Sequence, residues 1–131
     1  LVTVSRQHDT IYLWLATEVY PYVRMTRAGK WTEPRAVAYN QWQRTWKERI
    51  RLALIASRVE PIYGSGVPLF FSCTFQYARI PHNCDLDNLV KSALDCCQGV
   101  AFAGKDSWID RIVADRIQSQ KAGVSLTIGR Q

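Results

Sequence analysis

The sequence has few of the residues from which zinc sites are built. Histidine occurs only as His8 and His82, and the four cysteines lack the C-x-x-C spacing of structural zinc sites. Cys96 and Cys97 lie near the end of a predicted helix, and we interpret them as small buried residues in a reducing cytoplasm. The cysteine and histidine pattern therefore disfavours structural zinc.

The sequence also lacks long apolar runs. No stretch approaches the roughly 18 apolar residues that a membrane span requires. The N-terminal residues do not contain the charged region and apolar stretch of a secretion signal. We therefore expect a cytoplasmic protein that does not contact a membrane.

The length and composition are those of one folded domain. The 131 residues match the commonest domain size, and 47% of them are hydrophobic, which is enough for a core. We expect a single domain over residues 1–131, in which residues 1–9 remain unassigned.

Acidic residues are scarce in one strongly basic part of the chain. Residues 24–58 contain nine of the 17 basic residues but only two acids, whereas six of the 11 acids lie in residues 85–115. The net charge is +6, and clustered positive charge favours a polyanionic partner. This segregation predicts that one part of the chain binds phosphates and another part binds cations.

Alternating and helical periods predict strands interleaved with two main helices. We expect strands at residues 10–17, 67–78, 108–117 and around 124–128, and helices at 35–57 and 85–98, the second closed by Gly99. Residues 21–34 have no sustained period, and we interpret them as an exposed loop or irregular hairpin.

The first predicted helix has one apolar face and one basic face. The predicted core face contains Trp42, Trp46, Ile50, Ala53, Leu54 and Ser57. The opposite face carries what we call the basic stripe, which consists of Arg44, Lys47, Arg51 and Arg58. The stripe is either a phosphate-binding surface or an ordinary solvated helix face.

The second predicted helix opens with three polar residues. Asp85, Asp87 and Asn88 follow a buried strand, and a single aspartate there is explained by helix capping. A second carboxylate exceeds what capping needs, because two carboxylates about 4 Å apart repel by roughly 1 to 4 kcal/mol. Mg²⁺ reverses that repulsion and is typically held by one or two carboxylates. The pattern therefore predicts a magnesium site.

Two further residues, Lys91 and Asp106, each fit both a catalytic and an ordinary structural role. Lys91 lies one helical turn after Asp87, where its ammonium suits either an ordinary ion pair or contact with a scissile phosphate. Asp106 lies in the turn at residues 104–107, where a single aspartate is usually turn chemistry. Spacing alone leaves both roles open.

These motifs combine into a pattern of known type. The sequence D-L-D-N-L-V-K at residues 85–91, the turn at 99–100 and D-S-W-I at 106–109 resemble the RusA family of Holliday junction resolvases. The pattern of that family is D-x-D-N-x-x-K, a helix that ends in a Gly-Val type turn, and then D-S-x-I or D-S-x-V. The Pro- and Arg-rich segment at 21–39, Arg116 and the closing strand at 123–128 are also similar. The resemblance extends from about Glu18 onward.

The resemblance implies a small mixed α/β fold of the RusA type that works as a homodimer on branched DNA. It implies that Asp85, Asp87 and Asp106 hold Mg²⁺ or Mn²⁺ and that Lys91 stabilises developing charge, so that all four are catalytic. The implied reaction is paired, symmetric nicking of four-way junctions in DNA recombination and repair, leaving 5′-phosphates, by a bacterial or phage-encoded enzyme. The DNA-binding residues that we expect are Arg24, Arg27, Lys30, Arg44, Lys47, Arg51 and Arg116.

The chain departs from the family pattern at two places. Lys105 stands where many relatives have a second acid, which bears on metal affinity. His82-Asn83-Cys84 replaces a more basic approach to the first aspartate, which bears on phosphate contact or substrate preference.

Two other functions remain open from the sequence. In a DNA-binding module without catalysis, the acids only cap a helix and the basic stripe carries the function. A metal-dependent phosphohydrolase acting on nucleotides explains the acids but leaves the basic segment without a role.

Overall fold

The structure is a computed structural model that describes residues 1–24, 29–63, 67–103 and 109–130. In chain order its elements are β1 (Val2–Gln7), β2 (Thr10–Leu15), α1 (Gly29–Thr32), α2 (Pro34–Ala56), β3 (Ile62–Tyr63), β4 (Leu69–Tyr77), α3 (Leu86–Cys97), β5 (Phe102–Ala103), β6 (Ile109–Gln118) and β7 (Gly123–Arg130). Within these residues no helix has the length and apolar character that crossing a membrane requires.

Five strands form one mixed sheet. Their order is β1-β2-β7-β4-β6, in which β4 and β6 are parallel and the other neighbours are antiparallel. The parallel pair requires a crossover, and α3 lies in it. Strands β3 and β5 form a separate two-stranded parallel sheet. The prediction of a small single domain with a mixed sheet and two main helices, in the α+β class, is therefore confirmed.

The core uses one face of the sheet and the apolar sides of α2 and α3. Strand β4 alternates between buried and half-buried side chains along its whole length, as its sequence predicts. Cys73 of β4 lies opposite Leu126 of β7, which in turn lies opposite Leu13 of β2. These three residues are all buried, so one face of the sheet is apolar across three strands. Each fully buried leucine contributes roughly 1.5 to 3 kcal/mol to folding.

Helix α2 begins where the sequence supplies both a cap and a proline. Glu33 is the N-cap residue, and its carboxylate accepts a hydrogen bond from the Ala36 N–H at 2.7 Å. Pro34 occupies the first helical turn, where its missing N–H leaves no hydrogen bond unmade. Trp42 and Trp46 are buried on the predicted face, which holds this helix against the core.

Some details of the predictions near α2 are wrong. Ser57 is exposed, because it is the C-cap residue beyond the last helical turn, and Ala53 is only half-buried. The loop predicted for residues 21–34 contains the short helix α1, in which the Glu33 N–H donates to the Gly29 carbonyl at 2.8 Å. Glu33 thus closes α1 with its backbone and caps α2 with its side chain.

The ends of the remaining elements lie close to those predicted from the sequence. Gly99 has a φ of +84° and follows the C-cap residue of α3, Gln98, so the glycine predicted to close this helix does so. Strand β6 spans most of the strand predicted at 108–117, of which Trp108 lies outside the described residues. Strand β1 lies in the unassigned residues 1–9 and pairs antiparallel with β2.

Candidate active site

The two described aspartates of the predicted metal site lie at the start of α3. Asp85 is the N-cap residue, with extended backbone angles of −82° and 147°, yet its side chain makes no capping hydrogen bond in this described helix. Asp87 lies in the first turn and accepts a hydrogen bond from the Asn88 N–H at 3.0 Å. Both aspartates are exposed. Helix capping therefore does not account for the carboxylate of Asp85.

The loop that leads into Asp85 is fastened to the sheet by Arg116. This half-buried residue of β6 donates from Nη1 to the carbonyls of Pro81, at 3.1 Å, and Cys84, at 2.8 Å. Hydrogen bonds from a charged donor are stronger than neutral ones. Arg116 thus positions the residue that immediately precedes Asp85, and its predicted contact with DNA stays a prediction.

A cleft of about 560 Å³ lies beside the start of α3. Asp85 and Asn88 line it from the helix, and Tyr22 lines it from the segment that follows β2. The Tyr22 N–H donates to the Asn88 carbonyl at 3.1 Å, which fixes that segment against α3. The cleft therefore has walls from two parts of the chain that are far apart in sequence.

Two arginines give the cleft its positive charge. Arg24, one of the predicted DNA-binding residues, is exposed and lines the cleft. Arg35 lines it from the first turn of α2 and pairs with the Glu33 carboxylate at 3.3 Å. The sequence patterns did not single out Arg35, although it belongs to the basic segment of residues 24–58. The cleft thus brings a carboxylate and two guanidinium groups to one place.

Lys91 belongs to a polar network on the side of α3 that lies near the cleft. Its Nζ lies 3.1 Å from Asp95 Oδ1, and Asp95 Oδ2 accepts a hydrogen bond from the Tyr39 hydroxyl at 2.7 Å. Burial and, after it, the Asp95 carboxylate raise the pKa of Tyr39, so the phenol stays protonated. Lys91 Nζ is also 6.0 Å from the centre of the Tyr22 ring, which lines the cleft. The ammonium is therefore held close to the cleft wall.

The basic stripe is not uniformly available for DNA. Arg44 and Arg51 are exposed and Lys47 is half-buried. Arg51 forms two hydrogen bonds to the Glu48 carboxylate, which raise the pKa of Arg51 and lower that of Glu48. This acid on the same face partly offsets the positive charge, so Arg44 and Lys47 are the better candidates for contact with phosphates.

Several predicted site residues fall outside the described part of the chain. Asp106 and Arg27 are two of them. Lys30 lies within α1, where its backbone is described but its side chain is not. Among the described residues, no group of three or more histidines, cysteines, aspartates and glutamates is placed to hold a metal ion. Because Asp106 is not among them, the predicted trio of aspartates stays a prediction. Its donors are carboxylate oxygens, which suit hard divalent cations such as Mg²⁺ or Mn²⁺.

A family model described as endodeoxyribonuclease RusA matches residues 20–129. The chain belongs to the RusA family. The matched range contains the cleft, both aspartates at the start of α3 and Asp106, whereas β1 and β2 precede it. Membership of the RusA family implies Holliday junction endonuclease activity. Among curated proteins, none gives a significant sequence match to this RusA family chain.

Proposed function

We propose that this chain is a metal-dependent endodeoxyribonuclease that resolves Holliday junctions and related branched DNA in recombination and repair. The observation that carries the proposal is the carboxylate of Asp85, which makes no capping hydrogen bond and lines a cleft together with Arg24 and Arg35. Such a site offers oxygen ligands for a cation and positive groups for phosphates. RusA family membership supplies the DNA substrate class.

The ligands of the proposed ion are Asp85, Asp87 and Asp106. The carboxylate of Asp85 is not used as a cap, and Asp87 is exposed in the same turn of α3. When bound, Mg²⁺ or Mn²⁺ would neutralise charge at the nonbridging oxygens and stabilise the leaving oxygen. The chain's own contribution is to hold the carboxylates in place, which Arg116 does through the loop before Asp85.

Lys91 is proposed to stabilise negative charge that develops on the scissile phosphate. Its ion pair with Asp95 keeps the ammonium beside the cleft rather than free to rotate into solvent. Asp95 is itself oriented by the Tyr39 hydroxyl and holds Gln43 through its backbone carbonyl. Preorganised charge of this kind accelerates a reaction because it needs no rearrangement at the moment of bond cleavage.

The proposed contacts with the DNA backbone come from basic residues of the segment that follows β2 and of α2. Arg24 lines the cleft, and Arg27, Lys30 and Arg35 belong to the segment around α1 and the start of α2. The basic stripe, in particular Arg44 and Lys47, offers further positive charge on α2. Contacts of this kind orient DNA without reading its bases.

A homodimer is proposed because a four-way junction needs two cuts. Strand β6 is the outermost strand of the sheet on its side among the described residues. It carries Ile112, Val113 and Ile117, which are between 41% and 49% exposed. An edge strand with exposed apolar residues favours association with another chain. A second copy on β6 would supply the second active site, whose paired nicks would leave 5′-phosphates.

The decisive experiment compares substrates and metal together. Purified protein is incubated with labelled four-way junction, linear duplex and nucleoside triphosphates, with and without Mg²⁺ or Mn²⁺. Junction cleavage that requires the ion supports the proposal. Junction binding without cleavage supports the DNA-binding module, and hydrolysis of triphosphates alone supports the nucleotide phosphohydrolase.

The variant that tests the metal site is Asp87→Asn, which removes one carboxylate charge from the exposed first turn of α3. We expect it to abolish cleavage while junction binding stays equal or becomes tighter, because a charge that repels phosphate has been removed. Undiminished cutting by Asp87→Asn would exclude this residue from the metal site.

A further inference from the structure

Tyr20 is an exposed aromatic residue with a fixed orientation. Its ring stacks on that of Trp42, with ring centres 5.8 Å apart and planes 7° apart, while 46% of the residue stays exposed. Trp42 is buried, and its indole N–H donates to the Thr17 hydroxyl at 3.3 Å. Offset stacking on a buried ring stabilises one position of the tyrosine. Tyr20 therefore presents the remainder of its ring to solvent in a defined place.

The backbone on both sides of Tyr20 is also held. The Val19 carbonyl accepts a hydrogen bond from the Tyr77 hydroxyl at 3.3 Å, and Val19 itself is buried. Two residues beyond Tyr20, the Tyr22 N–H donates to the Asn88 carbonyl. A ligand that binds Tyr20 thus meets a surface that is already ordered, which reduces the entropic cost of binding.

Tyr20 stands between the candidate active site and a second depression. It lines the cleft that contains Asp85, and it also lines a depression of about 300 Å³ along the exposed side of α2. The polar residues of that depression are Gln41, Thr45 and Arg49. A DNA strand that passes the cleft would meet this depression immediately beside it.

Arg49 supplies a positioned cation to the depression. Its guanidinium carbon lies 4.6 Å from the centre of the Trp46 ring, which is a cation–π contact that limits where the side chain points. Arg49 is nevertheless exposed, so the group remains accessible to a phosphate. An aromatic surface beside a basic group is the combination with which proteins bind unpaired nucleotides.

We propose that this depression is a subsite for one unstacked nucleotide next to the cleavage position. The base stacks on the exposed part of Tyr20, and the adjoining phosphate contacts Arg49. The subsite deepens the proposed nuclease function and rests on it. Bases that are already unpaired or mismatched cost less to unstack than bases within a duplex. The subsite therefore favours branched DNA over linear duplex, which the basic residues alone do not do.

The test measures dissociation constants for a four-way junction and for linear duplex in the absence of divalent ions, so that no cleavage occurs. Tyr20→Ala should weaken junction binding by roughly 5- to 150-fold, the range expected when one base stack is removed. Duplex binding should change little. Tyr20→Phe keeps the ring and should restore the preference for the junction. An equal loss of affinity for both DNAs, or no loss, overturns the subsite.

A fluorescent base reports the stacking directly. Junctions that carry 2-aminopurine at the branch point should change emission on binding to wild type and Tyr20→Phe, but not on binding to Tyr20→Leu. The leucine variant keeps an apolar group over Trp42 but removes the aromatic face, which guards against a loss caused by unfolding alone. Tyr12→Ala, at a tyrosine of β2 that is 41% exposed, is the matched control and should behave as wild type. Wild-type emission that also persists in Tyr20→Leu overturns the proposal.

The subsite and the nuclease proposal fail in different ways. If the protein cuts junctions but Tyr20→Ala keeps the wild-type ratio of junction to duplex affinity, only the subsite is overturned. If the protein does not cut but its junction preference depends on Tyr20, the nuclease proposal is overturned together with the placement of the subsite next to a cleavage position, and only the stacking of a base on Tyr20 stands.

Discussion

The ammonium of Lys91 lies 3.1 Å from a carboxylate oxygen of Asp95, one helical turn further along α3. The other oxygen of that carboxylate accepts the Tyr39 hydroxyl from α2 at 2.7 Å. Asp95 therefore connects a predicted catalytic lysine to the packing between the two main helices. Lys91 is about two fifths exposed, so this ion pair contributes little to folding but restricts where the ammonium is held.

Replacing Asp95 should reduce the rate of cleavage more than it reduces stability. Asp95→Asn removes the charge that holds Lys91 while an amide oxygen can still accept the Tyr39 hydroxyl. We expect kcat for junction cleavage to fall on the order of 10- to 100-fold, as for other residues that orient catalytic groups. The junction dissociation constant and the melting temperature should change little, because the half-buried asparagine keeps an acceptor for the Tyr39 hydroxyl and an ion pair to the partly exposed Lys91 contributes about 0 to 1 kcal/mol.

The control for Asp95→Asn is Asp9→Asn. Asp9 pairs with Arg6 and Arg130 beside the turn between β1 and β2, so its replacement removes surface ion pairs of another part of the chain. Its kcat should match that of wild type. Equal kcat values for Asp95→Asn and wild type would show that Lys91 needs no positioning by Asp95.

The sequence analysis singled out Lys91 but neither Asp95 nor Tyr39. Asp95 lies four residues after Lys91, so helical spacing alone could have identified this ion pair, whereas Tyr39 was missed for a physical reason. The periodicity of α3 places Lys91 on the polar face, and that inference needs only local spacing. Tyr39 lies 56 residues before Asp95, and its hydroxyl reaches the carboxylate only because α2 packs on α3. Arg116 is similar, since its hydrogen bonds to Pro81 and Cys84 cross from β6 to the loop before α3. Local patterns identify elements, but they do not identify which carbonyl a long side chain will reach.

Strand β1 shows a different limit of sequence interpretation. Only Val2 and Val4 interrupt its polar residues, and the strand lies at the edge of the sheet against β2. An edge strand has one neighbour and needs few apolar residues, so its sequence resembles that of a loop. The buried strand β4 lies within the strand predicted at residues 67–78, because apolar and polar residues alternate strictly from Phe71 to Tyr77.

Charge reversal on the basic stripe should weaken binding to all DNA in a similar way. Arg44→Glu and Lys47→Glu should each flatten the slope of log affinity against log salt by about 0.9 for every phosphate that the side chain no longer neutralises. Arg51→Glu should have a smaller effect, because Arg51 already pairs with Glu48. The measurement is a salt titration of binding to junction and duplex. Unchanged slopes for all three variants would mean that this face of α2 does not contact DNA.

Alkaline conditions should destabilise the fold through its buried thiols. Cys96 and Cys97 are buried and free, as the sequence indicated, and Cys73 is buried in β4. Burial raises the pKa of Cys73 and of Cys96 to about 12, and raises that of Cys97 well above its ordinary value of 9.0. Below about pH 9 these thiols are protonated in both the folded and the unfolded protein, so they do not reduce stability. As the pH rises from 9 towards 12, they ionise more readily in the unfolded protein, and the free energy of unfolding falls.

The pH dependence of melting measures this effect in the presence of a reducing agent. Each thiol that ionises only on unfolding lowers stability by about 1.4 kcal/mol per pH unit in that range. Cys97→Ala should make the decline between pH 9 and 11 shallower by one such contribution. Cys84→Ala, at the half-buried cysteine, is the control. Parallel declines for Cys97→Ala and wild type would contradict the prediction.

The assignment of Asp106 to the metal site comes mainly from the family resemblance. If Asp106 joins Asp85 and Asp87 at one site, three carboxylates repel one another in the protein without metal, by a few kcal/mol at an intermediate dielectric. Added Mg²⁺ or Mn²⁺ should therefore raise the melting temperature of wild type as the ion concentration increases, by mass action. Asp106→Asn should match or exceed wild-type stability without metal, gain less from added metal and lose cleavage.

The alternative for Asp106 is ordinary turn chemistry, and it makes the opposite prediction. Asparagine replaces aspartate well in turns, so both the metal response and the cleavage would then stay near wild type. Asp110→Asn is the matched control, because Asp110 is an exposed aspartate of β6 that lies close to Asp106 in sequence and loses the same charge. Melting curves and junction cleavage across a metal titration compare the three proteins. If Asp106→Asn responds and cuts like Asp110→Asn, Asp106 is not a ligand, and the ion must be held by Asp85 and Asp87 without it.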